Sequence, residues 1–212
     1  MSSALMGSSI APAKHAHRNP FWKRQFMILS RWLHIYLSMA SFAILFFFAV
    51  TGLTLNHVEW FAKQEHTIQL KGTMDAKYLA KDVAKLEVVE YLRNKHGIHG
   101  AVNDFRVEDT DVSVAFKGPG YAADALIDRA SGRYELTETR MGFWAVLNDL
   151  HKGRDSGKAW GVMIDISAIL MTLVSLTGLF LIFFLQKKRL SGLLVAAAGA
   201  VLCYLAYVAW VP

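Results

Sequence analysis

Three histidines border the apolar runs of this sequence. His34 lies inside an uncharged run at 33–55. His57 follows that run after Asn56, and His151 closes a short amphipathic stretch carrying Phe143, Trp144, Leu147 and Leu150. An ionisable side chain at bilayer depth is expensive and marks a functional position by default. The plain alternatives are a neutral imidazole bonded to a neighbouring helix at His34, and a wet boundary histidine at His57 and at His151. On one straight helix His34 and His57 would stand roughly 34 Å apart and differ by roughly 140° in azimuth, so they cannot share a metal within one chain. His57 and His151 fall on the same side and can. A same-level histidine partner for His34 would be His34 of a second subunit. Zinc sites usually add cysteine or carboxylate ligands. Here the histidines edge long apolar helices rich in Phe and Met, which suits a b-type haem: a flat apolar ring held by two neutral imidazoles, poised for electron transfer rather than oxygen chemistry. Small residues that would let a ring approach form one stripe at Ser38, Ser41, Ala49, Gly52 and Asn56, and another at Gly161, Asp165, Ala168, Thr172 and Ser175. Ordinary helix–helix packing uses the same residues and is the commoner cause.

The elements that must position these histidines are membrane spans. The chain has 212 residues, 54% of them hydrophobic, with a mean hydropathy of +0.29. The apolar residues concentrate in runs at 33–55, 160–185 (broken only by Asp165) and 191–212, each long enough to cross a bilayer core. Trp32, Trp60, Trp160 and Trp210 mark their ends, where indole rings prefer to sit. Disorder, collagen and coiled coil are excluded by aromatic content and the lack of such repeats. A single cysteine, Cys203, excludes an internal disulfide, an iron–sulfur cluster and a cysteine zinc site.

Charge orients the spans. Lys14, Arg18, Lys23, Arg24 and Arg31 precede His34 with no acid among them, and Lys187, Lys188 and Arg189 separate the second and third runs. The central block is close to neutral. The positive-inside rule then puts the N-terminus in the cytoplasm and the central block and C-terminus outside. The net charge of +6 reflects this topology, and no nucleic-acid partner is expected. The first run is too long and too late to be a cleaved signal peptide. The expected organisation is a disordered cytoplasmic leader at 1–22, a first span within 23–60, an outside domain at 61–142, an interfacial segment at 143–159, and spans at 160–186 and 190–212.

The outside domain reads as small α+β. A strand is expected at 66–70, a helix over 75–95 capped by Asp75, strands at 105–107 and 112–116, a turn at Gly118-Pro119-Gly120, and a hairpin turning at Ser131-Gly132. Its core is thin and should lean on the membrane helices or on a second copy. A short repeat runs through the membrane part. Leu33-His34 precedes Thr51-Gly52-Leu53, and Leu150-His151 precedes Thr177-Gly178-Leu179, in spans of opposite sense, as in an inverted repeat.

The stretches beginning Arg31-Trp32-Leu33-His34, Thr51-Gly52-Leu53, Asn148-Asp149-Leu150-His151-Lys152-Gly153 and Thr177-Gly178-Leu179 resemble the PepSY-associated transmembrane family. Leu126-Ile127-Asp128, with Ser131-Gly132 behind it, resembles the strand–turn–strand of a PepSY domain. The similarity covers most of residues 30–186. It implies an α-helical membrane protein with three transmembrane helices and a small periplasmic α+β PepSY-like domain. Some members are bacterial inner-membrane ferric and siderophore-iron reductases that bind haem b through membrane histidines. Carried over, His34, His57 and His151 match the histidine positions. The chain departs from larger members, which have four or more spans and two haems per chain, so a homodimer is the natural way to complete a haem site.

The leading expectation is therefore a haem-b reductase. It would take electrons from a cytoplasmic donor or quinol, pass them to periplasmic ferric iron or ferric chelates, and so support Fe(II) uptake. The alternatives are a non-enzymatic, membrane-anchored PepSY inhibitor or assembly factor, and a haem protein that relays electrons to a partner. Glu108, Asp109 and Asp111 offer hard oxygen contacts for ferric iron, against the plainer reading of a solvated loop. His96 and His99 are weighed the same way. Asp165, in the second span, is a candidate to hydrogen-bond a haem-ligating imidazole.

Overall fold

A computed structural model describes residues 21–80, 82–185 and 187–212; the expected leader lies outside the described residues up to residue 20. The chain forms two compact units. One is Ser38–Leu173, and the other joins the chain up to Leu37 with Val174–Pro212.

Among the described residues three helices are long and apolar enough to cross a membrane: α1 (Phe21–Asn56), α4 (Gly157–Phe184) and α5 (Arg189–Trp210). Each stretch has good helix formers and no proline, and most of its large apolar side chains are exposed, as lipid-facing surfaces are. In the second-named unit Phe26 packs on Phe180 and Phe184, with ring centroids 6.1 and 5.8 Å away. After α1 the chain tightens into a 3-10 helix, Val58–Gln64, before entering the sheet.

The sheet is antiparallel, with strands β1 (His66–Thr73), β2 (Ala101–Val107), β3 (Asp111–Gly118), β4 (Tyr121–Asp128) and β5 (Arg133–Arg140) in the order β1-β5-β4-β3-β2. Strict alternation along β3 and β5 turns Val112, Val114, Phe116, Tyr134 and Leu136 to one face, where they meet Ala123, Ala125 and Ile127 of β4. Helix α2 (Lys85–His96) closes this core with Val88, Val89 and Leu92, and Gly97 ends it in the left-handed conformation. The opposite sheet face is polar. Asp128 holds the β4–β5 turn by accepting from Ser131 N at 2.7 Å.

The helix expected over 75–95 is divided. Asp75 does cap a helical turn, accepting from Lys77 N at 3.0 Å, but that turn is only Ala76–Leu79. Arg129 of the neighbouring turn donates to Ala80 O at 3.1 Å, and Ala84 N folds back to Tyr78 O at 3.0 Å. Two carbonyls that a continuing helix would use are thus taken, one by a side chain far along the sequence and one by a local backbone N–H out of helical register, and α2 starts at Lys85. After the sheet, α3 (Phe143–Lys152) is a ten-residue amphipathic helix ended by Gly153 at φ +69.

Candidate functional site: histidines anchored through Nδ1

Helices α1 and α4 meet at His34. The Thr177 hydroxyl donates to Val174 O, one turn back along α4, at 2.9 Å. His34 Nδ1 lies 3.0 Å from that hydroxyl oxygen and 3.2 Å from Val174 O. A carbonyl only accepts, so Nδ1 carries the ring proton and Nε2 carries the lone pair. Gly178 lets the ring in: a methyl group there would stand 3.1 Å from His34 Cε1.

The other unit repeats the arrangement. The Thr51 hydroxyl donates to Phe47 O at 2.6 Å, and His151 Nδ1 lies 2.6 Å from the same oxygen. With its single proton committed to the carbonyl, Thr51 accepts from Nδ1–H, and again Nε2 keeps the lone pair. Thr51 is only 1% exposed. Gly52 faces His151 Cε1, here with ordinary room of 3.7 Å for a methyl group, and Phe48 meets the ring edge-on at 5.0 Å. Burial, and then Lys152 beside it, pushes the His151 imidazole below its ordinary pKa, which favours the neutral ring. The two halves of the sequence repeat therefore cross over: each Thr-Gly-Leu receives the histidine of the other Leu-His.

His57 is held differently, with the same consequence. Its Nδ1 is 3.2 Å from Glu59 Oε1, and its ring stacks on Trp60 at 4.1 Å, with 5° between the planes. The glutamate's own backbone N–H, and then His57, hold that carboxyl below the usual range. An ionised carboxylate accepts, so Nδ1 is once more the protonated nitrogen. His57 and His151 contact separate partners, Glu59 and Trp60 in one case, Thr51 and Phe48 in the other.

The remaining candidates are placed as follows. Asp165 is exposed on α4, and among the described residues it makes no hydrogen bond to His57 or His151, the histidines of its own unit. Glu108, Asp109 and Asp111 form the β2–β3 turn, whose backbone wraps Arg129: Nη1 donates to Glu108 O at 2.9 Å, and Glu108 N donates to Asp111 O at 2.8 Å. Among the described residues no group of three or more His, Cys, Asp or Glu side chains is gathered as a metal site. His96 bonds Tyr134 Oη at 2.8 Å, and His99 lies edge-on to Tyr121. Thr51 and Thr177 were legible as members of a repeat but not as the groups that orient the imidazoles.

The model of the PepSY_TM-like family matches residues 28–212. The chain belongs to the PepSY_TM-like family. The match takes in all three apolar helices almost entirely, the sheet, and the three histidines of this PepSY_TM-like protein. No curated protein and no solved structure matches the chain.

Proposed function

We propose that this PepSY_TM-like membrane protein binds haem b through Nε2 of His34, His57 and His151. On this reading it acts as a ferric reductase, passing electrons to ferric iron or a ferric chelate on the periplasmic side of a bacterial inner membrane.

The observation that carries the reading is the common state of the three imidazoles. Each commits Nδ1–H to an oxygen, from Thr177 and Val174, from Glu59, or from Thr51. That is how metal-ligating histidines are oriented: the outer hydrogen bond fixes the tautomer, turns the ring and raises the basicity of the other nitrogen. The donor set is nitrogen-only on helices studded with exposed Phe and Leu, which fits an apolar haem face better than a hydrated ion. Haem b, when bound, would supply one-electron transfer; the chain's residues orient its ligands by holding each Nδ1 on an oxygen. His57 and His151 serve the outer side. On the inner side His34 needs an imidazole from a second copy, so a homodimer embedded in lipid is part of the proposal, as is a cytoplasmic or quinol electron donor. Reduction to Fe(II) weakens the hold of hard oxygen ligands and frees iron for uptake.

The test is iron reduction by purified protein in liposomes, reduced beforehand and mixed with ferric citrate while a ferrous-specific chromophore is followed. We expect Fe(II) to form, and its rate to fall by about 10- to 100-fold in His151→Ala. Haem-loaded, fully reduced protein that yields no Fe(II) would contradict the ferric reductase and leave electron relay to a partner protein.

A further inference from the structure

Four consecutive residues of α3 tie it to different parts of the Ser38–Leu173 unit. Asn148 Oδ1 accepts from Thr54 of α1 at 2.7 Å, and Leu150 O accepts from Trp160 Nε1 of α4 at 2.8 Å. His151 takes Thr51 of α1 at 2.6 Å. The fourth, Asp149, reaches the sheet. Its Oδ2 accepts from Gly120 N at 2.9 Å, and its Oδ1 accepts from Arg154 Nε and Nη2 at 3.0 and 2.6 Å.

Asp149 is 5% exposed, so its charge is buried with both oxygens satisfied. Gly120 belongs to the turn joining β3 and β4, which are neighbours in the sheet. It is gripped on both sides, because Gly120 O also accepts from Met141 N at 2.8 Å. It adopts φ +64, and a methyl group there would stand 2.5 Å from Val146 Cγ2 and 3.1 Å from Val146 N, so the turn rests directly on α3. A ten-residue helix has little stability of its own. What fixes its place, and therefore the aim of His151, is this set of contacts.

We propose that Asp149 is a positioning residue for His151: by clamping α3 to the β3–β4 turn it makes the sheet domain set the orientation of the imidazole that Thr51 receives. The consequence for haem rests on the function proposed above; the clamp itself does not.

The experiment uses the full chain in detergent with 15N-labelled histidine, first without haem. At about pH 8, where imidazole is neutral, nitrogen shifts report which ring nitrogen bears the proton. We expect His151 to show the Nδ1–H form alone in the wild type. In Asp149→Ala and in Gly120→Ala we expect a mixture of the two forms, with His34 unchanged as the internal reference. Asp149→Asn keeps the shape but has one acceptor oxygen for the three N–H groups of Gly120 and Arg154, so it must break one leg of the clamp; a smaller admixture is expected, and this variant carries the test if the others do not accumulate. Haem titration should then show affinity lowered about tenfold. An unchanged His151 tautomer in the folded variants overturns the proposal. Wild-type protein that takes up no haem would overturn the function proposed above while leaving the tautomer result to stand.

Discussion

Among the described residues His34 Nδ1 has two oxygens in reach, Thr177 Oγ1 at 3.0 Å and Val174 O at 3.2 Å, and His151 Nδ1 has one, Thr51 Oγ1 at 2.6 Å. The supports differ in the opposite direction. His34 projects from a 36-residue helix whose own backbone fixes it, and the ring is squeezed against Gly178. His151 stands at the end of a ten-residue helix pinned by Asn148, Asp149 and Leu150 to three other elements, and its glycine leaves room. The comparison teaches that one sequence pattern, Leu-His answered by Thr-Gly-Leu, fixes an imidazole tautomer in two ways. A long helix needs only a back-bonded threonine and a close glycine, whereas a short helix must borrow rigidity from the domain beside it.

The sharpest way to break this comparison is at the threonines. Thr51→Val removes the acceptor that His151 Nδ1–H has among the described residues and leaves that donor unpaired, at a cost of about 1–3 kcal/mol. We expect haem affinity at His151 to fall about tenfold by titration. Thr177→Val leaves Val174 O in place, so the fall at His34 should be only a few-fold. Equal losses would show that the carbonyl does not substitute for the hydroxyl.

A smaller contrast is expected at the glycines. A methyl group on Gly178 sits 3.1 Å from the His34 ring, tighter than ordinary contact, whereas on Gly52 it sits 3.7 Å from His151. Gly178→Ala should therefore turn the His34 ring and lower thermal stability in detergent by about 1–3 kcal/mol, the usual range for overpacking. Gly52→Ala should stay within about 0.5 kcal/mol of the wild type. Melting curves of the two variants, read side by side, decide it; the reverse order would contradict the assigned geometry.

Much of the architecture was legible because it follows from period and composition. The alternation of Val112, Val114 and Phe116 marks β3, and Asp128 with Ser131 and Gly132 marks the β4–β5 turn. The uncharged runs mark the apolar helices. The break between Ala76–Leu79 and Lys85 was not legible, because Arg129, some fifty residues on in the sequence, supplies the competing donors. The site was half legible. The histidines stand out by type and place, and the repeat by its order. Nothing in the repeat says that Thr51 meets His151 rather than the histidine of its own span, since partner choice is decided by packing. Asp165 stands out in the sequence as a charge in an apolar helix; among the described residues the hydrogen-bond partners of His34, His57 and His151 are hydroxyls, a backbone carbonyl and Glu59.

In the function proposed, these Nδ1-anchored histidines present Nε2 to haem iron. The most direct measurement is the oxidised and dithionite-reduced absorption spectrum of the full chain, expressed with ample haem and purified in mild detergent. We expect a Soret band and a sharp reduced α-band of low-spin, bis-histidine haem b, lost or converted to high spin in His151→Ala. Clean, folded protein with no Soret absorption would contradict it and favour a membrane-anchored inhibitor or assembly factor.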